Sequence, residues 1–219
     1  MKQIIFLMTF IMCLSCTRKE MKLNFCDTVY RTKQNSCFVL ENDTDVKYIF
    51  YPPSFIGDEE WGYLGAIVKI TDEEGKEPRV NTVYINKGTP TGKAMDQFMM
   101  NAHKDYLLWK KLLAQGVRID YLGAKQYKVI TKTKFVLNPG DEREISKKIS
   151  IFQKDLESSG TYYSFDQKKK YFIQIELDFD STEIKKYLPA QQLDSLKKNN
   201  LKIFHGILKT KKIPIQLTQ

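Results

Sequence analysis

The chain has 219 residues, a formal net charge of +9 and a hydrophobic fraction of 42%. This composition is rich enough in apolar and aromatic residues to build a core, which argues against global disorder, and the length fits one large domain. The excess lysines are scattered along the chain and are not interleaved with aromatics as in a nucleic-acid-binding motif, so we expect no nucleic-acid partner.

The N-terminal segment has the form of a secretory leader. Lys2 precedes an apolar run from Ile4 to Met12, which is shorter than the roughly 20 residues that cross a bilayer. The run is followed by Ser15-Cys16, a small residue and then a cysteine. This ending resembles the lipobox of bacterial lipoproteins, in which a dedicated peptidase cleaves before a cysteine that has been diacylated.

The resemblance to bacterial lipoproteins implies a signal peptide over residues 1–15 and a lipid on Cys16. The mature chain would then be held at the cell envelope by its acyl chains, on the outer membrane or on a leaflet that faces the periplasm. Residues 16–22 are charged and show no periodicity, and we expect them to form a short tether. An ordinary secretory leader with an incidental cysteine is the alternative.

Two further cysteines, Cys26 and Cys37, are available to pair in the mature chain. Export to an oxidising compartment favours a disulfide, and closing a loop of about ten residues would stabilise the fold by roughly 3 kcal/mol. Two separately buried thiols are the alternative. The cysteine spacing matches no metal motif and the chain has only two histidines, so we expect neither a metal site nor a cofactor.

The first half of the mature chain predicts short strands separated by turns. The predicted strands cover residues 23–30, 36–41, 46–51, 64–71 and 80–85. The last two flank an acidic turn that ends at Gly75, so we expect them to pair with each other as a hairpin.

A loop rich in aromatics follows the third predicted strand. Its large aromatic residues near the strand end and beyond are Tyr51, Phe55, Trp61 and Tyr63. These side chains could form a stacking surface for a sugar or a peptide, because aromatic rings combine large apolar faces with polar tips. The alternative is that they close the open end of a sandwich.

A long helix is predicted from Lys93 to Gln115, stopped by Gly116, within an insertion of about 91–116. Seven residues share one helical face: Met95, Phe98, Met99, Ala102, Tyr106, Trp109 and Leu113. We expect this face to cover a sheet or the end of a sandwich. Met100 and Leu107 lie off the face and are candidates for contact with a partner.

The stretch from 125 to 151 alternates apolar and polar residues, stops at Asn138-Pro139-Gly140-Asp141, and resumes with spaced isoleucines. It predicts a long amphipathic strand, a tight corner and a second strand. Further predictions are a strand at 170–179, a helical turn near 182–184, a short helix after Pro189, and a last strand over 201–217.

Several of these segments resemble an immunoglobulin-like domain that recurs in exported bacterial lipoproteins. The segments are VLENDT (39–44), LNPGD (137–141), KKYFIQI (169–175) and GILKTKKIPI (206–215). The resemblance implies a mainly β, immunoglobulin-like β-sandwich over residues 23–219, with the long helix inserted and a short helix in its C-terminal half. It brings no catalytic residues.

The chain therefore predicts a membrane-anchored, non-catalytic binding or assembly protein of the cell envelope. No Ser/His/Asp ordering, metal cluster or glycine-rich nucleophile turn stands in the sequence, which argues against an enzyme. The expected partner, besides the membrane, is an envelope protein or a glycan. The alternative is an envelope protease or hydrolase inhibitor that uses the loop 51–61.

Overall fold

The structure is a computed structural model that describes residues 19–31, 36–51, 66–83, 88–147, 149, 151 and 160–217. The predicted signal peptide, Cys16 and most of the aromatic loop lie outside the described residues. The predicted tether lies partly inside them, and its last two residues belong to the first strand, which begins at Met21 rather than at Leu23.

The fold is mainly β. In chain order, the strands of the described residues are Met21–Phe25 (β1), Tyr30–Arg31 (β2), Ser36–Asn42 (β3), Tyr48–Phe50 (β4), Ala66–Asp72 (β5), Arg79–Val83 (β6), Phe135–Leu137 (β7), Glu142–Lys147 (β8), Gly160–Ser164 (β9), Tyr171–Phe179 (β10), Lys202–Ile203 (β11), Gly206–Lys209 (β12) and Ile213–Gln216 (β13). The helices are Lys93–Ala114 (α1), Tyr121–Thr133 (α2), Ser181–Tyr187 (α3) and Ala190–Lys198 (α4).

These strands form several small sheets. One sheet has the order β1-β3-β8, a second has the order β12-β10-β13-β2 with β5 on the other edge of β10, and a third has the order β11-β4-β7. Strands β6 and β9 form a separate antiparallel pair. Most pairs are antiparallel, whereas β4 with β11 and β2 with β13 run parallel.

Side chains from the first two sheets meet in the main core. Leu23, Phe38 and Leu40 come from β1 and β3, while Ile173 and Ile175 come from β10, and all five are buried in one apolar cluster. The predicted strand at 170–179 is confirmed, because its alternate residues fill this core and its register pairs it with β5 along seven positions.

The predicted hairpin of β5 with β6 is wrong. The turn between them does form, with Asp72 Oδ1 accepting hydrogen bonds from the amides of Glu74 and Lys76, and with Gly75 at φ 81°. However, β5 pairs with β10, whereas β6 pairs with β9. Alternation of side chains predicts a strand and its buried face, but it carries little information about which strand lies alongside.

The long strand predicted to start at residue 125 is also wrong, because residues Tyr121–Thr133 form helix α2. The Asp120 carboxylate accepts a hydrogen bond from the Gly123 amide at 2.7 Å and so caps the first turn. Ala124 and Ile130 are buried on one face with Tyr127 half-buried between them. This spacing of three residues fits a helix as well as the alternation fits a strand, and the cap favours the helix.

The predicted corner is confirmed, and it moves the chain between sheets. Gly140 adopts φ 80°, and Asp141 accepts a hydrogen bond from the Asn138 amide at 2.8 Å. Strand β7 before the corner pairs with β4, whereas β8 after it pairs with β3.

The C-terminal segment breaks into three short strands rather than forming one strand over 201–217. Gly206 has φ 144°, a conformation that side chains disfavour, at the start of β12. Thr210 is buried between β12 and β13, where its hydroxyl accepts a hydrogen bond from the Ile175 amide. Two further predictions are confirmed: helix α3 covers the predicted turn, and α4 follows Pro189.

Candidate functional site

Helix α1 is the longest helix of the described chain, and its bounds agree with the sequence prediction. It runs from Lys93 to Ala114, between Gly92 at φ 53° and Gly116 at φ 79°. Both glycines adopt the left-handed conformation that other residues disfavour, so they set where the helix begins and ends.

The packing of α1 differs from the expectation that it covers a sheet, because its partner is helix α2. The Trp109 indole N–H donates to the Ile119 carbonyl at 2.9 Å, and the Tyr121 hydroxyl donates to the Ala102 carbonyl at 3.2 Å. Leu112 is buried against Val117 and Ala124 in a small apolar cluster.

An ion pair at the edge of this contact adds to it. The Lys128 ammonium of α2 lies 3.0 Å from the carboxylate of Asp105, which is itself buried on α1. These contacts all fall between residues 102 and 112 of α1. The predicted apolar face of the helix is therefore covered only in part.

Most of the large apolar side chains of α1 are exposed to solvent. The exposed ones are Phe98, Met99, Met100, Tyr106, Leu107 and Leu113. Met99 retains 59% of its accessible surface and Leu107 retains 53%. A concentration of this kind on one element is typical of an interaction surface, whereas single exposed apolar residues are ordinary.

The length of α2 explains part of this exposure. Helix α1 has 22 residues and α2 has 13, so α2 cannot follow its partner over the whole length. At the N-terminal end, residues 93–101 are exposed except for Met95, which is half-buried.

Met100 and Leu107, predicted as partner-binding residues, lie on a side of α1 away from α2. Met100 is 46% exposed, and the two residues are two turns apart on the same line. Lys104 and Lys111 are exposed beside them. We call Met100, Leu107, Lys104 and Lys111 the outer face of α1.

The other predicted site residues have separate outcomes. Tyr51 is 3% exposed and packs among Ile49, Ile130 and Leu188, so it belongs to a core and not to an exposed stacking surface. Burial, with the nearby Tyr127 hydroxyl, raises the pKa of Tyr51 to about 12. Phe55, Trp61 and Tyr63 lie outside the described residues, as does the rest of the proposed inhibitory loop.

A disulfide joins Cys26 to Cys37, the pairing that the sequence left open. The Cα atoms lie 5.3 Å apart, and the Cys26 amide donates to the Cys37 carbonyl at 3.0 Å. The bridge ties the end of β1 to the beginning of β3 and so fixes one end of the first sheet.

A groove that the sequence did not predict lies between α1, α2 and α4. It has a volume of about 390 Å³, and its lining combines Leu108, Leu112 and Tyr127 with polar side chains such as Lys111 and Gln191. Gln192 donates to the Tyr127 hydroxyl at 3.3 Å at its edge. The sequence prediction of a strand at residues 125–137 gives no such groove, because only a helix brings Tyr127 next to α4.

The charged clusters of the sheets are structural in character. Glu176 of β10 accepts hydrogen bonds from Lys69 and Lys209 on the two neighbouring strands, at 2.8 and 3.1 Å. Hydrogen bonding to Lys69 and then to Lys209 holds the pKa of Glu176 below its usual value of 4.5. Within the described ranges, no group of three or more His, Cys, Asp or Glu side chains is arranged to hold a metal ion.

Neither the helices nor the comparisons with known proteins assign a class to this chain. Within the part of the chain that the structure describes, no helix has both the length and the apolar character needed to cross a membrane. Comparison of the chain with protein-family models, with curated proteins and with solved structures finds no match.

Proposed function

We propose that the protein is a lipid-anchored protein of the cell envelope that acts as a non-catalytic binding or assembly module. The observation that supports this function is the set of exposed apolar side chains along α1. The proposed anchor is an acylated Cys16, on the strength of the leader that ends in Ser15-Cys16. The inhibitor alternative depends on the loop 51–61, of which only Tyr51 is described, and it stays a prediction.

The proposed framework is an immunoglobulin-like β-sandwich. Its support is the shared core, in which β1 and β3 pack their inward side chains against those of β10. A rigid sheet core of this kind would hold α1 in place while leaving the exposed side chains free to meet a partner.

The proposed contact with an envelope protein is the outer face of α1. Met100 and Leu107 supply apolar area, and burying the exposed half of each would contribute roughly 1 kcal/mol. Lys104 and Lys111 flank them and favour a partner surface with an apolar centre and an acidic rim.

The experiment replaces both apolar residues of the outer face with glutamine, as Met100→Gln with Leu107→Gln, so that no new amine is added. Amine-reactive crosslinking in intact envelopes then reports on Lys104 and Lys111, which lie beside the substitutions. We expect about tenfold less of a defined heterologous adduct, because the apolar part of the contact is lost. The melting temperature should not change, since both side chains are exposed in the folded chain.

The matched control is Val80→Gln with Ile207→Gln, which makes the same apolar-to-polar change at two exposed apolar positions on strands. The adduct should persist in this control. An adduct that persists equally in the α1 variant would refute the outer face as the contact.

The anchor has its own test. Cys16→Ala should abolish metabolic labelling with fatty acid, because no thiol remains at the proposed site of acylation. Labelling that continues in this variant would refute the lipid on Cys16 and leave the outer-face experiment unaffected.

A further inference from the structure

Six residues of α1 recur at alternating spacings of four and three. They are Met95, Met99, Ala102, Tyr106, Trp109 and Leu113, which we call the α1 seam. This alternation over successive heptads is the pattern by which one helix packs along another in a coiled coil. The seam spans about 27 Å at 1.5 Å per residue.

Helix α2 covers only one side of the seam. The row nearer α2 is Met95, Ala102 and Trp109, all half-buried. The row farther from α2 is Met99, Tyr106 and Leu113, which are 59%, 43% and 39% exposed. The seam has the spacing of a coiled coil, but its farther row is exposed. A second helix is therefore needed to cover that row.

We propose that a second copy of this chain supplies that helix, with the two α1 helices packed antiparallel along their seams. In the antiparallel register centred on the seam, Tyr106 of each copy lies opposite Ala102 of the other. Met99 lies opposite Trp109, and Met95 lies opposite Leu113. Ala102 of each copy thus faces the larger Tyr106 of the other, once on each side of a two-fold axis, as a self-complementary interface requires.

The charges beside the seam support the antiparallel direction. Asp96, His103 and Lys110 form an exposed row along the edge away from α2. The antiparallel register brings Asp96 of each copy next to Lys110 of the other, so that two opposite-charge pairs flank the seam. Among the described residues, the Asp96 carboxylate forms no ion pair within its own chain.

The opposite edge of the seam argues against a parallel pair. Asp105 and Leu112 lie on that edge, and both are buried under α2. In a parallel pair, the charged row of one helix faces this covered edge of the other, whereas in an antiparallel pair the two charged rows face each other. From residue 105 to residue 112, the edge that carries Lys110 is open to a second copy, whereas the opposite edge is covered.

The test exchanges these two charges. Asp96→Lys places like charges at both flanking pairs, and so does Lys110→Asp. An equimolar mixture of the two single variants restores two opposite-charge pairs in the mixed dimer. Because each variant is the same molecule alone and in the mixture, a folding defect cannot explain recovery on mixing.

The measurement is sedimentation of the full-length chain in density-matched detergent. We expect the unmodified chain to be dimeric, each variant alone to dimerise about tenfold more weakly, and the mixture to recover the original affinity. An unmodified chain that stays monomeric at about 0.1 mM, far above the dissociation constants of specific dimers, would overturn the proposal. So would variants that dimerise normally, or a mixture that does not recover.

A second pair of variants separates this proposal from the outer face. Met99→Lys with Leu113→Lys should abolish the dimer but leave the chain folded, because both side chains are exposed, and the melting temperature should lose only the part that depends on chain concentration. Met100→Lys with Leu107→Lys should leave the dimer intact, because these residues lie off the seam. Loss of the dimer in the second variant alone would move self-association to the outer face and overturn the seam.

An anionic lipid surface is the remaining occupant that the lysines of α1 would attract. The probe is flotation of the full-length Cys16→Ala chain with vesicles that contain an anionic phospholipid. We expect the added substitutions Met99→Gln and Leu113→Gln, which remove apolar area without adding charge, to leave flotation unchanged. If they abolish flotation and the chain is monomeric, the seam binds lipid and the dimer proposal fails.

Discussion

Phe50 and Phe98 carry the same side chain in opposite surroundings. Phe50 is fully buried in β4, where its ring centroid lies within 5.5 Å of those of three other phenylalanines, Phe135, Phe179 and Phe204. Phe98 is 54% exposed on α1. The sheet core thus uses its aromatics to hold the fold, whereas α1 presents its apolar side chains to solvent.

Phe50 and Phe98 differ in burial because neighbouring elements cover β4 but leave much of α1 uncovered. Phe50 of β4 is buried because side chains from β7, β10 and the C-terminal segment pack around it in the main core. Among the described residues, helix α1 packs mainly against α2, which is about half its length and whose hydrogen bonds and ion pair to it fall at residues 102–112 of α1. Because α2 is shorter than α1, part of the apolar surface of α1 stays exposed to solvent.

The largest expected effect separates the two phenylalanines. Phe50→Ala should lower the free energy of unfolding by about 3–5 kcal/mol, because it leaves a cavity among three aromatic rings. Phe98→Ala should change it by less than about 0.5 kcal/mol, because the side chain is mainly solvated. Denaturant unfolding of both variants gives the comparison, and equal losses would show that α1 is buried in the native protein.

The disulfide should have the next largest effect, and it acts on the sheet region. Reduction of Cys26–Cys37 should lower the free energy of unfolding by roughly 3 kcal/mol, since the unfolded chain gains the entropy of an open loop. The double variant Cys26→Ser, Cys37→Ser should show the same loss and no response to reductant. A double variant that still responds to reductant would place the sensitivity elsewhere.

Substitution of Asn42 should have the third largest effect on stability, because this buried polar residue joins three segments of the chain. Its side-chain amide donates to the carbonyls of Val46, Leu137 and Asn138, and its side-chain oxygen accepts from Thr44. Asn42→Ala leaves these carbonyls without that donor, which should cost about 2 kcal/mol.

Asn101 on α1 is the matched control for Asn42. It is exposed and accepts a hydrogen bond only from Gln97 within the described residues. Asn101→Ala should stay within about 0.5 kcal/mol of the unmodified chain. A large loss at Asn101 would contradict the contrast between the sheets and α1.

Asn42 also shows how far the sequence alone could reach. The Asn42-Asp43-Thr44 segment stands out as a motif because side-chain hydrogen bonds to neighbouring backbone make such turns local, and the corner at Gly140 is local for the same reason. The bounds of α1 and the strand β10 are also local properties of the chain. These features could be predicted from the sequence.

The features that the sequence missed depend on distant residues. The partner of β5 is about a hundred residues away along the chain, and nothing in its own alternation selects β10 over β6. The alternation of Tyr127, Val129 and Thr131 with polar residues favours a strand, although Tyr127 and Ile130 have the spacing of a helix. The formation of helix α2 depends on Asp120 and on packing against α1. The buried face of α1 was misassigned for the same reason, since α2 was not known to be a helix.

The smallest expected effect is a pH dependence at Glu176. Lys69 and Lys209 lower the pKa of this carboxyl in the folded state, so its contribution to stability is present above the usual value of 4.5 and is lost as the pH falls through the folded value. The effect should be small because the two lysine side chains are 44% and 51% exposed, and solvent screens the pairs.

Glu176→Gln tests this dependence by removing the titrating group while keeping its shape. The variant should be less stable than the unmodified chain at neutral pH, and the gap should close as the pH falls below 4.5, because protonation removes the same interaction from the unmodified chain. Glu142→Gln makes the same charge change at an exposed position of β8, and its stability should follow that of the unmodified chain at every pH. The free energy of unfolding of Glu176→Gln could instead run parallel to that of the unmodified chain from neutral to acid pH. In that case, Glu176 is not the group whose protonation weakens the sheet that contains β10.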